Sequence, residues 1–172
     1  MTAGSAGRRE VPLRAIDILR TLIAHRVEFI VIGGFALAAH GYVRGTKDLD
    51  VVPEPGRENL ELLLAALREL EAEPLALGDF KPEELVELSL ENLMLGGNWL
   101  LRTRYGRLDV MQFAPGMRSY RDLRERAVVH VPEGVPGEPL FVGLDDLVAL
   151  KRSAGRRQDL LDIAELERAR GG

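Results

Sequence analysis

Two glycines, Gly33 and Gly34, close the apolar run Glu28-Phe-Ile-Val-Ile32, and after thirteen intervening residues comes Asp48-Leu49-Asp50. The run is rich in β-branched and aromatic residues and reads as a buried strand. Ala36 to His40 then reads as a short helix. Glycines between a strand and a helix permit positive φ and close approach of an anion, toward which a helix start points free N–H groups. Asp48 to Val52 alternates as a second strand, with Asp48, Asp50 and Val52 on one face and Leu49 and Val51 on the other. Two carboxylates side by side repel and raise at least one pKa unless a cation intervenes. Hard oxygen ligands suit Mg²⁺, or Mn²⁺, with phosphate oxygens filling the shell. The pattern points to a phosphate-handling metal site.

A third acid, Asp109, lies within Arg107-Leu-Asp-Val-Met-Gln-Phe113. Asn98 to Tyr105 and Arg107 to Phe113 read as strands joined at Gly106. A mid-strand carboxylate between Leu108 and Val110 needs a partner if buried, and a role as third metal ligand or general base would supply one. Each element has an ordinary alternative: a solvated acid pair, an edge-strand charge and a tight glycine turn.

Gly-Gly, thirteen residues, Asp-Leu-Asp and a lone Asp on a later strand resemble the nucleotidyltransferase superfamily. That group includes polymerase-β-like enzymes, minimal nucleotidyltransferases and the nucleotidyltransferases of type IV toxin–antitoxin systems. The likeness spans residues 27 to 113 and extends more loosely to the segments around Lys151 and around Arg156 to Asp162. It implies two metal ions (Mg²⁺, with Mn²⁺ as an alternative) held by Asp48, Asp50 and Asp109, and an NTP cradled by Gly33 and Gly34. An NMP would pass to a hydroxyl of a protein or RNA acceptor, with a cognate toxin or antitoxin as a candidate partner. It also implies nucleotide contacts from Lys151 and Asp159. Where the commonest motif has Gly-Ser this chain has Gly-Gly, which removes a hydroxyl donor to phosphate. An inactive nucleotide-binding or partner-binding module of the same fold is the alternative reading.

Other residues leave two readings open. Arg44 and Lys47 would bind triphosphate or be solvated loop cations, and Lys47 is carried forward as a nucleotide contact. His40 and Tyr42 would touch nucleotide or pack beneath the loop. Arg102 and Arg104, alternating on one strand face, would reach phosphate or RNA or stand in solvent. Asp159 and Asp162, at i and i+3 near Arg156 and Arg157, also fit ordinary helix pairing. Arg20-x4-His25 matches a spacing found in ribonuclease domains, yet it falls on an amphipathic helix where chance explains it better.

The 172 residues, 46% hydrophobic, suffice for a full core, and no stretch approaches the apolar length of a membrane span. The chain has no cysteine, so it has no disulfides or thiolate metal sites, and a cytoplasmic location is the default. The formal charge of −4 argues against general nucleic-acid binding, and no stable DNA binding is expected. The charge is uneven: residues 58 to 91 are acidic, while Arg102 to Arg126 and Lys151 to Arg157 are basic.

Residues 1–10 lack an apolar segment and read as a flexible lead-in. Residues 11–172 then form one domain with a helical C-terminal part, 144–170. Helices are predicted at Pro12 to Arg26, Glu58 to Glu73, Pro82 to Leu88, Leu144 to Ser153 and Gln158 to Ala169, with a turn at Ser119 to Arg124. Short strands are predicted at Ala127 to Val131 and Pro139 to Val142. The expected class is α/β, or α+β, with a mixed sheet flanked by helices in a nucleotidyltransferase-like arrangement.

Overall fold

A computed structural model describes residues 11–76 and 81–171. The lead-in expected over residues 1–10 lies outside the described residues. Among the described residues, no helix is long and apolar enough to cross a membrane.

Helix α1 (Ala15–Ala24) buries Ile18, Leu19 and Leu22. The chain then reverses through Arg26 at φ 59° into strand β1 (Phe29–Ile32), buried throughout. A 3₁₀ segment (Gly34–His40) follows, then β2 (Asp48–Pro53) and α2 (Arg57–Glu69). Helix α2 buries Leu60, Leu63, Leu64 and Leu67 and packs on α1 and β2. It ends four residues before the predicted Glu73, because Glu71 takes φ 55° and the chain turns into β3 (Glu73–Pro74).

The predicted helix from Pro82 shrinks to a 3₁₀ turn (Pro82–Glu84), and the helix proper comes later as α3 (Leu90–Leu93). Ser89 caps α3, its Oγ accepting from the Asn92 N–H at 3.3 Å, so the start signal was a serine and not the proline. Strands β4 (Trp99–Thr103) and β5 (Gly106–Val110) form the expected hairpin, with a difference in register. Thr103 pairs with Gly106, so the turn is Arg104-Tyr105 and the positive φ falls on Gly106, at 104°. Arg102 and Arg104 therefore do not share a strand face. Arg102 bonds Glu73 at 3.1 Å, and Arg104 lies over the Tyr105 ring.

The chain closes with α4 (Tyr120–Arg126), β6 (Val128–Val129), β7 (Leu140–Phe141), α5 (Leu144–Ala154) and α6 (Arg157–Arg170). The seven strands make one sheet in the order β3-β4-β5-β2-β1-β7-β6. Pairings β1–β7 and β2–β5 are parallel and the other four antiparallel. The expected mixed sheet with flanking helices is what forms. Leu49, Val51, Leu101, Leu108 and Val110 are buried in the core, each contributing about 1.5–3 kcal/mol by leaving water. Strands β2, β5 and β4 turn their other faces to the site.

Candidate active site

Parallel pairing of β2 with β5 sets Asp50 beside Asp109 and Asp48 beside Arg107. Because a strand alternates its side chains, the three acids emerge on one sheet face. One carboxylate oxygen from each of Asp48, Asp50 and Asp109 lies within 4.8 Å of the others. Antiparallel β1 brings Ile32 opposite Asp50, which delivers the Gly33-Gly34 turn to the same place.

Gly33 has φ 71° and ψ −155°, a conformation open essentially to glycine alone. A Cβ there would fall 2.1 Å from Asp50 Oδ2. The glycine is thus required twice, by its backbone and by the carboxylate packed against it. Gly34 has no positive φ, and a Cβ would meet only the side-chain ends of Thr46 and Arg44 at 3.1 Å and beyond.

Burial, followed by the charges of Asp48 and Asp109, pushes the Asp50 carboxyl up to about 8. Burial also raises Asp109, against the opposing pull of Arg107. That guanidinium donates from Nε and Nη2 to the two oxygens of Asp109 at 3.0 and 3.2 Å and lies 3.9 Å from Asp48. Three crowded carboxylates beside a single arginine fit a divalent metal: the donors are hard, and the site holds more negative charge than one arginine cancels.

The acids open into a cavity of about 550 Å³, within the range of small-molecule sites. Every sequence-predicted site residue lines it: Gly33, Gly34, Lys47, Asp48, Asp50, Asp109, Lys151 and Asp159. Lys47 is exposed and has no ion pair among the described residues. Lys151 and Asp159 come from α5 and α6 and are buried in a charge network. Lys151 Nζ donates to Asp162 at 2.7 Å and lies 3.6 Å from Asp159. Asp159, in the first turn of α6, accepts from the Arg156 backbone N–H and guanidinium.

Asp162, completely buried, is the hub. It accepts from Arg44 Nε and Nη2 at 2.8 Å each, from Lys151 and from Gln158. Burial alone would raise its pKa, but these donors outweigh burial and hold it at about 2. Asp159 is lowered as well, its burial outweighed by Arg156 and Lys151. His40 resolves to a packing role, its Nε2–H donating to the Val142 carbonyl at 2.7 Å. Tyr42 packs on the core, and His25 pairs with Glu69.

Among solved structures, a Thermotoga maritima protein described only as a candidate nucleotidyltransferase aligns at 13% identity with a TM-score of 0.45, over 90% of this chain and 85% of that one. No family model matches the sequence, and no curated protein matches it significantly. At that degree of likeness, function has to be read from the site's own residues.

Arg107, Gln158 and the hub role of Asp162 were not legible as parts of the site in the sequence. Arg107 had a local signal, since it precedes Asp109 by two positions and so shares its strand face. Arg44 and Asp162 are 118 residues apart and gave none.

Proposed function

We propose that this protein is a metal-dependent nucleotidyltransferase that moves an NMP from an NTP to a hydroxyl of a protein or RNA acceptor. The observation that carries the reading is the convergence of Asp48, Asp50 and Asp109 within 4.8 Å on a face that opens beside Gly33-Gly34 and five cationic side chains. Neither feature alone would suffice; together they join a site for hard cations to one for polyphosphate.

Asp48, Asp50 and Asp109 would hold Mg²⁺ or Mn²⁺, two ions by family resemblance, which when bound supply charge neutralisation at the attacking and leaving oxygens. Gly33 and Gly34 offer backbone without side-chain obstruction to the triphosphate, and Lys47, Lys151 and Arg156 offer positive charge. The acceptor oxygen forms a bond to the α-phosphorus as the bridging oxygen toward the β-phosphorus leaves with pyrophosphate. Asp109, whose burial raises its proton affinity, would take the hydroxyl proton. Asp162 holds Arg44 and Lys151 in place with two geometrically fixed pairs. A physiological place within a toxin–antitoxin pair belongs to the same proposal and rests on resemblance alone.

A competing reading, an inactive binding module, draws on Arg107, which engages both oxygens of Asp109. The two part in one experiment: incubation of the protein with α-labelled NTP, Mn²⁺ and a cell extract. Label entering a macromolecule with wild type, and not with Asp109→Asn, supports the transferase. Nucleotide binding without transfer under any of these conditions supports the module.

A further inference from the structure

A second cleft, of about 380 Å³, opens between β3–β4 and the α3 region and is lined by Leu75, Leu85, Val86, Leu95, Trp99 and Leu100 among others. Leu100 lines both this cleft and the acid-bearing cavity. The register explains why: Leu100 lies opposite Asp109 on the neighbouring strand, on the same face. The two spaces therefore adjoin, with the Leu100 side chain as their common wall. Leu95 and Val86 are 82% and 59% exposed, large apolar groups held in water on this cleft.

Position along the sheet gives the cleft a direction. Gly33-Gly34 lies at the end of β1, the acids on β2 and β5, and the cleft beyond them at β4 and β3. An in-line displacement brings the attacking oxygen from the side opposite the leaving pyrophosphate. If pyrophosphate leaves toward the glycine turn and its cations, the acceptor enters over Leu100, from the cleft.

Charge decides the acceptor's class. Glu84, Glu87 and Glu91 are exposed and are chain neighbours of the lining residues Leu85, Val86 and Asn92, with exposed Glu83 next to Glu84. Among the described residues from 73 to 98, Lys81 is the one cation. Polynucleotide binding depends on lysines and arginines that neutralise phosphates, and this rim would repel them. It suits a polypeptide carrying lysine or arginine.

We propose that the acceptor is a hydroxyl side chain of a protein segment that seats an apolar residue in this cleft and places basic residues against its glutamate rim. The inference rests on the transferase reading and narrows its acceptor from protein or RNA to protein.

The test presents the full chain, with α-labelled NTP and Mn²⁺, with a degenerate peptide library fixed at one serine, threonine or tyrosine, and separately with pooled RNA. Label should enter peptides enriched in an apolar residue near the hydroxyl and in lysine or arginine. Leu95→Gln, at an exposed position, should cut that incorporation at least tenfold while leaving calorimetric NTP binding unchanged. Label in RNA and not in peptides would overturn the proposal, as would peptide labelling without that enrichment or indifferent to Leu95→Gln. Failure of the transferase reading is told apart by the wild type itself, which would then label neither peptide nor RNA, whether or not the titration shows nucleotide binding. Emission of Trp99, the single tryptophan, reads cleft occupancy without any chemistry. A shift with the basic apolar peptides and none with RNA is the expected result, and the reverse would contradict it.

Discussion

At the scale of the residue, the site is a set of mutually dependent choices. Asp50 titrates near pH 4 in the unfolded chain and at about 8 in the folded one. Between those values the folded state holds the extra proton, so stability of the metal-free protein should fall as pH rises from about 4 to about 8. Asp50→Asn should flatten that slope and raise the metal-free melting temperature at pH 8 by at least about 2–4 °C, equivalent to about 1 kcal/mol, while abolishing Mn²⁺ binding. Thermal melts in chelator across the pH range check it; an unchanged slope would contradict it. Gly33→Ala should cost about 1–3 kcal/mol from backbone strain and weaken metal binding through the displaced Asp50. Gly34→Ser, which restores the commonest form of the motif, should fold with little change in melting temperature and tighten nucleotide binding by its added hydroxyl. Equal Mn²⁺ affinity in Gly33→Ala and Gly34→Ser would contradict this division of roles between the two glycines. The acids were legible because period-two alternation is a local property of a strand. Arg107 was less so, since its contact with Asp48 depends on how β2 and β5 register.

At the scale of the element, α5 and α6 reach the site through charge. Asp162 binds a loop cation, a helix cation and a glutamine at once, which ties the loop after the 3₁₀ segment Gly34–His40 to both C-terminal helices. The sequence offered Asp159 and Asp162 as an ordinary helix pair, and the spacing alone supports that; what it hid was burial. Asp162→Asn would leave Lys151 buried with a weaker partner, Asp159 at 3.6 Å, and should cost about 3 kcal/mol in urea denaturation. The folded-state pKa of about 2 lies below the ordinary carboxylate value, so this stability is present above about pH 4 and lost as pH falls toward about 2. Acid titration followed by circular dichroism should show that loss in wild type and a shallower one in Asp162→Asn. Element ends were legible where a local signal existed, as with the apolar periods of α1 and α2. The end of α2 was not, because Glu71 takes its positive φ without a glycine or proline to announce it. Strand β3 was not legible either, being two residues long and too short for alternation to register, whereas β6 and β7 form within the strands read at Ala127 to Val131 and Pro139 to Val142 and shrink to two residues each.

At the scale of the whole molecule, the sheet order does the assembly. Strands distant in sequence bring the glycine turn, the acid pair and the third acid to one face, and the C-terminal helices add cations along its rim. The cavity's cations come from three places in the chain: Arg44 and Lys47 from the loop before β2, Arg107 from β5, and Lys151 and Arg156 from the C-terminal helical part. The central claim is that this face binds nucleotide through metal held by the three acids. Calorimetric titration of the full chain with each of the four NTPs, with and without Mg²⁺, in wild type and Asp48→Ala, tests it most directly. Binding should require Mg²⁺ and vanish in Asp48→Ala, while both proteins melt cooperatively. Metal-independent binding, or binding that persists in Asp48→Ala, would contradict the claim.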